Sequence, residues 1–334
     1  MEFGVFDHLD QRPGATLETI YQERLRLIAD YDSAGISTYH LAEHHATPLG
    51  LAPSPSVFLA AVAQRTTRLR FGPMVYCLPL YDPLRLIEEI CMLDQMSGGR
   101  FEFGVGRGIS PYEVAYFGVD PETAPAIYVE AFEVLMKGLT HAELNHRGEH
   151  FSYDSVPMVL APKQQPHPPL WYGVAAPHGA TWPAEHGINI ISNAPCAIAR
   201  QATDHYRAAW DAKHGADAAL PKMGVARHIF VAESDAEADA IARRAYAVWY
   251  DSFAKLWRHF GKTPGAYSAD FDEAKDLDAV IAGSPETVSA EIARQVDAAG
   301  LNYFVCRFAY GDLSYQESAR SLALFSDAVA PRFA

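Results

Sequence analysis

Short apolar runs alternate with longer stretches of helical period from the amino terminus almost to the end of the chain. The runs FGVF near Phe3, STYHLA near Tyr39, LRFGPMVY near Phe71, FEFGVG near Phe103, LWYGV near Trp171, INIIS near Ile190, VARHIFVA near Ile229 and NYFVCRF near Val305 predict eight strands. Each is apolar nearly throughout, as strands buried on both faces are. Between them, the spacing predicts helices over Thr16 to Ala34, Ser54 to Gln64, Asp82 to Met96, Glu122 to Leu139, Ala197 to His214, Ser234 to Phe260 and Pro285 to Ala299. Gly35 and Gly300 stand where helices commonly end on glycine. Eight such β–α repeats argue for one (β/α)8 TIM-barrel domain over residues 1–334. A doubly wound open sheet is the alternative that a strand count alone leaves standing.

Two stretches break the alternation. Residues 140–169, after the fourth strand, are polar and end proline-rich, which predicts an inserted hairpin and an extended lead into the fifth strand. Residues 261–282, before the eighth strand, are Asp-rich and aperiodic. A loop of that length is expected to be a lid over the active face.

Composition narrows the function classes. The 41 acidic residues outnumber the 27 basic ones, giving a formal net charge of −14 with no basic run. Nucleic acid and anionic membranes are therefore not expected partners. The start MEFGVFDHLD lacks the basic and apolar regions of a signal peptide, and no segment reaches membrane-spanning length, so the chain reads as soluble and cytoplasmic. Cys77, Cys91, Cys196 and Cys306 form no C-x-x-C pair and read as small buried residues.

Chemistry is expected where barrel strands end, because the βα loops converge there. LAEHH places Glu43, His44 and His45 at the end of the second strand. Adjacent histidines on extended chain point to opposite sides, and no third ligand stands at a diagnostic spacing, so a shared metal ion is not expected. Acid/base work by one histidine beside a carboxylate and plain buried hydrogen bonding both stay open. The run FEFGVGRGIS has Gly104, Gly106 and Gly108 around Arg107, but no helix is expected to open at its third glycine, so it is a poor dinucleotide fingerprint. Its glycines allow close backbone approach to a ligand, and Arg107 can bind a phosphate. Asp7 and His8 end the first strand and can line a pocket, while Trp249, Tyr250, Phe253 and Trp257 recur as a helical core stripe.

In this order, LAEHH, LRFGPMVYCLP, DPLRLIEEICMLDQMSGGRFEFGVGRG, PPLWYGV and GSPETV resemble the bacterial luciferase-like flavin-dependent monooxygenases, nearly from end to end. The resemblance implies a TIM barrel that binds reduced FMN at its mouth, reacts with dioxygen through a flavin 4a-hydroperoxide and oxygenates a small organic substrate. A separate NAD(P)H-dependent flavin reductase would supply the reduced FMN, and a homodimer would be the assembly. Carried over, His44 is the catalytic histidine and Glu43 lies by the flavin. The family's non-proline cis peptide falls at Met74 and Val75, and Gly106, Arg107 and Ile109 contact the cofactor, with Arg107 on its phosphate. WYDSF from Trp249 also matches a luciferase run, and His8 and Asn193 fall in the substrate pocket.

The chain also departs from that pattern. Pro125 stands where the family often has a second phosphate-binding arginine. After the fifth strand, Ala175, Ala176 and Gly179 replace side chains that would hold the phosphate, which leaves only backbone N–H groups at a helix start. Weak FMN retention is the expected consequence. Ala194, next to Asn193, replaces a bulky pocket aromatic, so a long-chain aldehyde substrate does not follow. The alternatives are a deazaflavin-dependent hydride-transfer enzyme and a catalytically silent flavin-binding relative. Leu84, Ile87, Glu88, Cys91 and Leu93 give the helix from Asp82 more apolar surface than one contact needs, which is compatible with a partner helix.

Overall fold

The computed structural model describes residues 1–334, and all eight expected strands form. β1 (Glu2–Asp7) pairs in parallel with β2 (Thr38–Leu41), and β2 with β3 (Arg70–Pro73). The third run breaks after Pro73 and resumes as β4 (Tyr76–Cys77), which pairs with β5 (Phe103–Gly106). The expected insertion forms an antiparallel hairpin, β6 (Glu143–Arg147) and β7 (Ser152–Pro157). The ring continues through β8 (Leu170–Gly173), β9 (Asn189–Ser192) and β10 (Met223–Val231). Beyond β11 (Val280–Gly283), β12 (Tyr303–Arg307) lies between β10 and β1. The N–H groups of Phe71 and Glu102 donate to Arg100 and Phe71 carbonyls, joining β3 to the start of β5 and closing the ring.

Ten of the helices run around or over this ring: α1 (Leu17–Ser33), α2 (Pro55–Arg65), α3 (Pro83–Met96), α4 (Pro111–Tyr116), α5 (Ala124–Thr140), α6 (Thr181–Glu185), α7 (Cys196–His214), α8 (Asp235–His259), α9 (Phe271–Asp276) and α10 (Pro285–Ala299). α11 (Tyr315–Leu324) completes the set. Thr16, Asp82, Ser234 and Ser284 each cap a helix by accepting a backbone N–H, which satisfies donors that the first turn leaves free. Gly300 takes the left-handed conformation at the end of α10. No helix is long and apolar enough to cross a membrane.

The main core lies between strands and helices, and a second fills the lumen with Phe6, Ala42, Met74, Trp171, Ile191, Ala226, Tyr303 and Val305. Glycine makes the lumen packing possible at its floor, since a Cβ on Gly4 would lie 1.9 Å from the Tyr303 hydroxyl. The polar atoms there are paired: His40 Nε2 meets the Tyr303 hydroxyl at 3.0 Å, and Trp171 Nε1 donates to Glu102 at 2.6 Å. Burial pushes His40 down to about 3, so this imidazole is neutral.

Three expectations need correction. A helix does follow the glycine run: Ser110 caps α4, whose start lies just past the strand end and not at Gly108 itself. Residues 261–282 are not aperiodic throughout, because they contain α9 and all but the last residue of β11. β11 pairs with His228 to Val231, the outer half of β10. It lies along the edge that β9 uses lower down, since Ile190 N–H donates to Lys222 and His228 N–H donates to Ala279. Finally, of the residues expected to face a partner helix, Ile87, Cys91 and Leu93 are buried within the chain, Leu84 is half-buried and Glu88 is exposed, while the exposed apolar residues of α3 are Met92 and Met96.

Beside β1, Asp7 accepts from Arg24, the Leu9 N–H at 2.7 Å and the Tyr39 hydroxyl at 2.7 Å. Asp10 is also buried, accepting from the Gly311 N–H with Arg24 at 3.9 Å. Burial pushes the Asp10 carboxyl up to about 7, outweighing the Arg24 charge and the Gly311 bond that pull it down. A carboxyl raised in the folded state costs stability when ionised, so its penalty is absent below the unfolded value near 4 and complete above the folded value near 7. Asp10→Asn is therefore expected to match the parent near pH 4 and to be more stable at pH 8, by roughly 1 to 4 kcal/mol. Urea denaturation of both proteins at the two pH values measures this; equal stabilities at pH 8 would refute it.

Candidate active site

Parallel strands in one inward register present every second residue to the lumen. One step above the lumen layer, this alternation carries His8, His44, Gly106, Asn193, His228 and Arg307 to the carboxyl-end mouth. The contacts agree with that placement. The His8 ring lies 4.9 Å from Phe6, 5.7 Å from His44 and 6.0 Å from Trp249, and the Arg307 guanidinium lies 4.8 Å from the centre of the Phe6 ring. Asp7, one residue earlier, faces Arg24 and Tyr39 instead, so it does not line the pocket.

The LAEHH segment resolves into two carboxylate–imidazole pairs. Glu43 is buried and fully engaged: it accepts from His45 Nε2 at 2.8 Å, the Tyr81 hydroxyl at 2.8 Å and the Cys77 N–H at 3.1 Å. His44 turns the other way, its Nδ1 3.2 Å from Glu113, whose second oxygen accepts the His45 N–H at 2.7 Å. Burial pushes the Glu113 carboxyl up, but the His44 imidazole and the His45 N–H outweigh it and hold it below the ordinary glutamate range. An ionised Glu113 fixes the proton of a neutral His44 on Nδ1 and leaves Nε2 as a base. Glu113 was not legible as a functional residue, although Ser110-Pro111-x-Glu113 is a helix-start signal.

The third run bears out the expected backbone feature, because the Met74–Val75 peptide is cis. Glycines let the neighbouring strand approach it: a Cβ on Gly106 would lie 2.5 Å from Val75 Cγ2, and one on Gly104 would lie 2.9 Å from Met74 Sδ. Arg107 and Ile109 beyond are exposed, and Arg107 makes no ion pair or hydrogen bond within the chain. Across β5, the segment after β8 turns through Pro177–Ala180 into α6. Ala175 and Ala176 keep free N–H groups, but Gly179 spends its own on the Ala176 carbonyl at 2.9 Å. This corner fits a small anion with one guanidinium and a few backbone donors. Pro125 sits in the first turn of α5, so no second arginine joins it there.

The opposite wall is aromatic. Trp249 and Tyr250 are buried, as a core stripe requires, yet Trp249 also lies 4.2 Å from His228 and 5.0 Å from Tyr267. Tyr267 comes from the 261–282 stretch and also packs on Phe253 at 5.2 Å. α4 and the end of α8 are joined by Tyr112 stacked on Phe260, ring centres 3.9 Å apart. Burial and then the Arg307 charge push both His8 and His228 well below the usual histidine range, so both are neutral. Neither His228 nor Arg307 was singled out in the sequence, because each lies within an apolar strand run.

The family model for luciferase-like monooxygenases matches residues 1–303. An uncharacterized protein of Sinorhizobium fredii, y4wF, is 40% identical over 319 residues, covering 95% of this chain and 93% of that protein. The monooxygenase RslO1 of Streptomyces bottropensis superposes with a TM-score of 0.90 at 25% identity, with full coverage of both chains. The oxygenating constituent of 3,6-diketocamphane monooxygenase from Pseudomonas putida, in complex with FMN, superposes with a TM-score of 0.85 at 21% identity, covering 99% of this chain and 98% of that one. Proteins described as F420-dependent share the fold as well. With its barrel and a family match over residues 1–303, the chain belongs to the luciferase-like monooxygenases.

Proposed function

We propose that this protein is the oxygenase component of a two-component, FMN-dependent monooxygenase acting on a small organic substrate. The observation that carries the reading is the Glu113-held His44, set at the mouth beside the glycine wall of Gly104 and Gly106. The FMN-bound oxygenating constituent of the same fold supports the cofactor, and its being one constituent of a monooxygenase supports a separate second component. A homodimer, and a lid formed by the part of residues 261–282 that precedes α9, belong to the same proposal.

Reduced FMN, when bound, supplies two electrons to dioxygen, so that one oxygen atom enters the substrate and the other leaves as water. The chain's own part is to bind, orient and protonate. Met74, Val75, Gly106 and Ile109 form the surface on which the ring would rest, with Glu43 bracing the backbone beneath it through Cys77. Arg107 with the Ala175 and Ala176 N–H groups would hold the phosphate. His44 moves the proton at Nε2, with Glu113 as the residue that positions it. His45 is tied to Glu43 and Glu113 and braces the loop.

Anaerobic titration with reduced FMN, followed by mixing with oxygenated buffer, tests the reading. Saturable binding and reoxidation in more than one phase are expected; single-phase reoxidation at the rate of free flavin would refute it. Binding of reduced deazaflavin but not of reduced FMN would shift the assignment to hydride transfer. With an accepted substrate, His44→Ala is expected to retain reduced FMN but lower oxygenation by roughly 100-fold or more, and Glu113→Gln by about 10-fold. Unchanged turnover in His44→Ala would remove this histidine from the mechanism.

The lean phosphate corner gives a separate expectation. The purified protein should hold FMN substoichiometrically, and Arg107→Ala should weaken reduced FMN binding about 10-fold or more while leaving reduced riboflavin unaffected. Equal effects on both flavins in a binding titration would place the phosphate elsewhere.

A further inference from the structure

Arg307 is the one guanidinium in the mouth that is fully enclosed, at 1% exposure, and it faces no carboxylate. Its Nη2 donates to Asn193 Oδ1 at 2.6 Å and to the Tyr267 hydroxyl at 3.2 Å, while Nε and Nη1 have no partner. Around it, both ring nitrogens of His228, the indole N–H of Trp249 and the Tyr310 hydroxyl are likewise buried and unpartnered. These groups are contiguous, since the His228 ring lies 4.2 Å from Trp249 and 4.8 Å from Tyr310. Arg227, next to His228 on β10, is just as buried, but Gln295 and the carbonyls of Asn193, Ala194 and Ala226 occupy its nitrogens. The fold therefore satisfies one buried arginine of β10 and leaves the one on β12 with donors to spare.

We propose that Arg307 anchors the carboxylate of the substrate, and that this substrate is a small planar or aromatic carboxylic acid. An enclosed cation without a counter-ion favours an anion over a neutral acceptor. The phosphate of FMN does not fill that role, because Arg107 follows β5 and β12 is four strands from β5 in either direction around the ring. The rings of Phe6 and Tyr267 flank the Arg307 guanidinium and Trp249 packs on Tyr267, so a ligand reaching the cation would meet aromatic surroundings that suit a flat body. Tyr267 accepts from Arg307 and lies over it, so an arriving acid passes this ring first.

Assignment of the anion as substrate rests on the oxygenase reading, but anion binding itself does not, so the test uses the flavin-free protein. Benzoate, benzamide and inorganic phosphate are titrated by calorimetry into the parent, Arg307→Gln, Asn193→Ala and Arg107→Ala proteins. Benzoate is expected to bind the parent at least 10-fold more tightly than benzamide. Arg307→Gln should abolish that preference, Asn193→Ala should weaken it several-fold, and Arg107→Ala should leave it intact. Asn193 is exposed, so its variant keeps the test alive should Arg307→Gln not fold. Saturating phosphate should not displace benzoate. Equal binding of benzoate and benzamide, or loss of benzoate binding in Arg107→Ala, would overturn the proposal. Should benzoate bind as expected while reduced FMN fails to bind, the anion site stands and the oxygenase reading falls.

Discussion

The lumen of this barrel is full, and that constraint determines where its chemistry lies. Trp171, Tyr303 and Phe6 occupy the interior, with Gly4 keeping clear the space that Tyr303 fills. Close packing at organic-crystal density leaves no room there for a ligand. A strand that buries both faces must still alternate, so the first inward positions above the packed layer are also the first that can meet a ligand. His8, His44, Asn193, His228 and Arg307 stand at those positions. The site is thus the continuation of the core by one step of the pleat, with polar groups replacing apolar ones where the packing ends.

Within the mouth, two carboxylates do different work because of what surrounds them. Glu43 is committed to three donors, the Cys77 N–H of β4, the Tyr81 hydroxyl and the His45 ring, and such a group holds backbone in place. Glu113 grips a backbone N–H with one oxygen and the His44 ring with the other. The same carboxylate therefore fixes the loop and the tautomer. Placing it on α4, whose Ser110 cap is itself fixed at the end of β5, couples the histidine of one strand to the glycine run of another. The His44 ring and the backbone of the loop after β2 are thus held by one short helix that starts just past the glycine run.

The eight strands were legible because each is a continuous apolar run, and periodicity reports such runs well. β11 was not, since Val280–Gly283 is four residues long and lies behind an Asp-rich stretch that masks it. The cis Met74–Val75 position came from resemblance, as neither residue type signals a cis bond by itself. Glu113 escaped because the glycine run drew attention to Gly108, whereas the helix start was written two residues later in Ser110 and Pro111. His228 and Arg307 escaped for the opposite reason: VARHIFVA and NYFVCRF read as strands, and a polar residue inside a strand discloses its importance only when its neighbours across the ring are known.

Electrostatics adds a last constraint. The chain carries a formal net charge of −14, yet both FMN and a carboxylic acid are anions. At physiological salt, fields from exposed charges fade over about 8 Å, so the overall acidity is felt on approach but weakens inside the mouth. Capture then depends on local cations, and the two are placed differently. Arg107 is exposed, where water weakens its attraction but leaves it open to an arriving phosphate. Arg307 is enclosed, where attraction is stronger and neutral His8 and His228 add donors or acceptors without adding charge. Under the proposed function, the same difference in burial would give a loosely held, exchangeable cofactor at Arg107 and a more selectively held acid at Arg307, the division of labour that an oxygenase receiving its reduced flavin from solution would require.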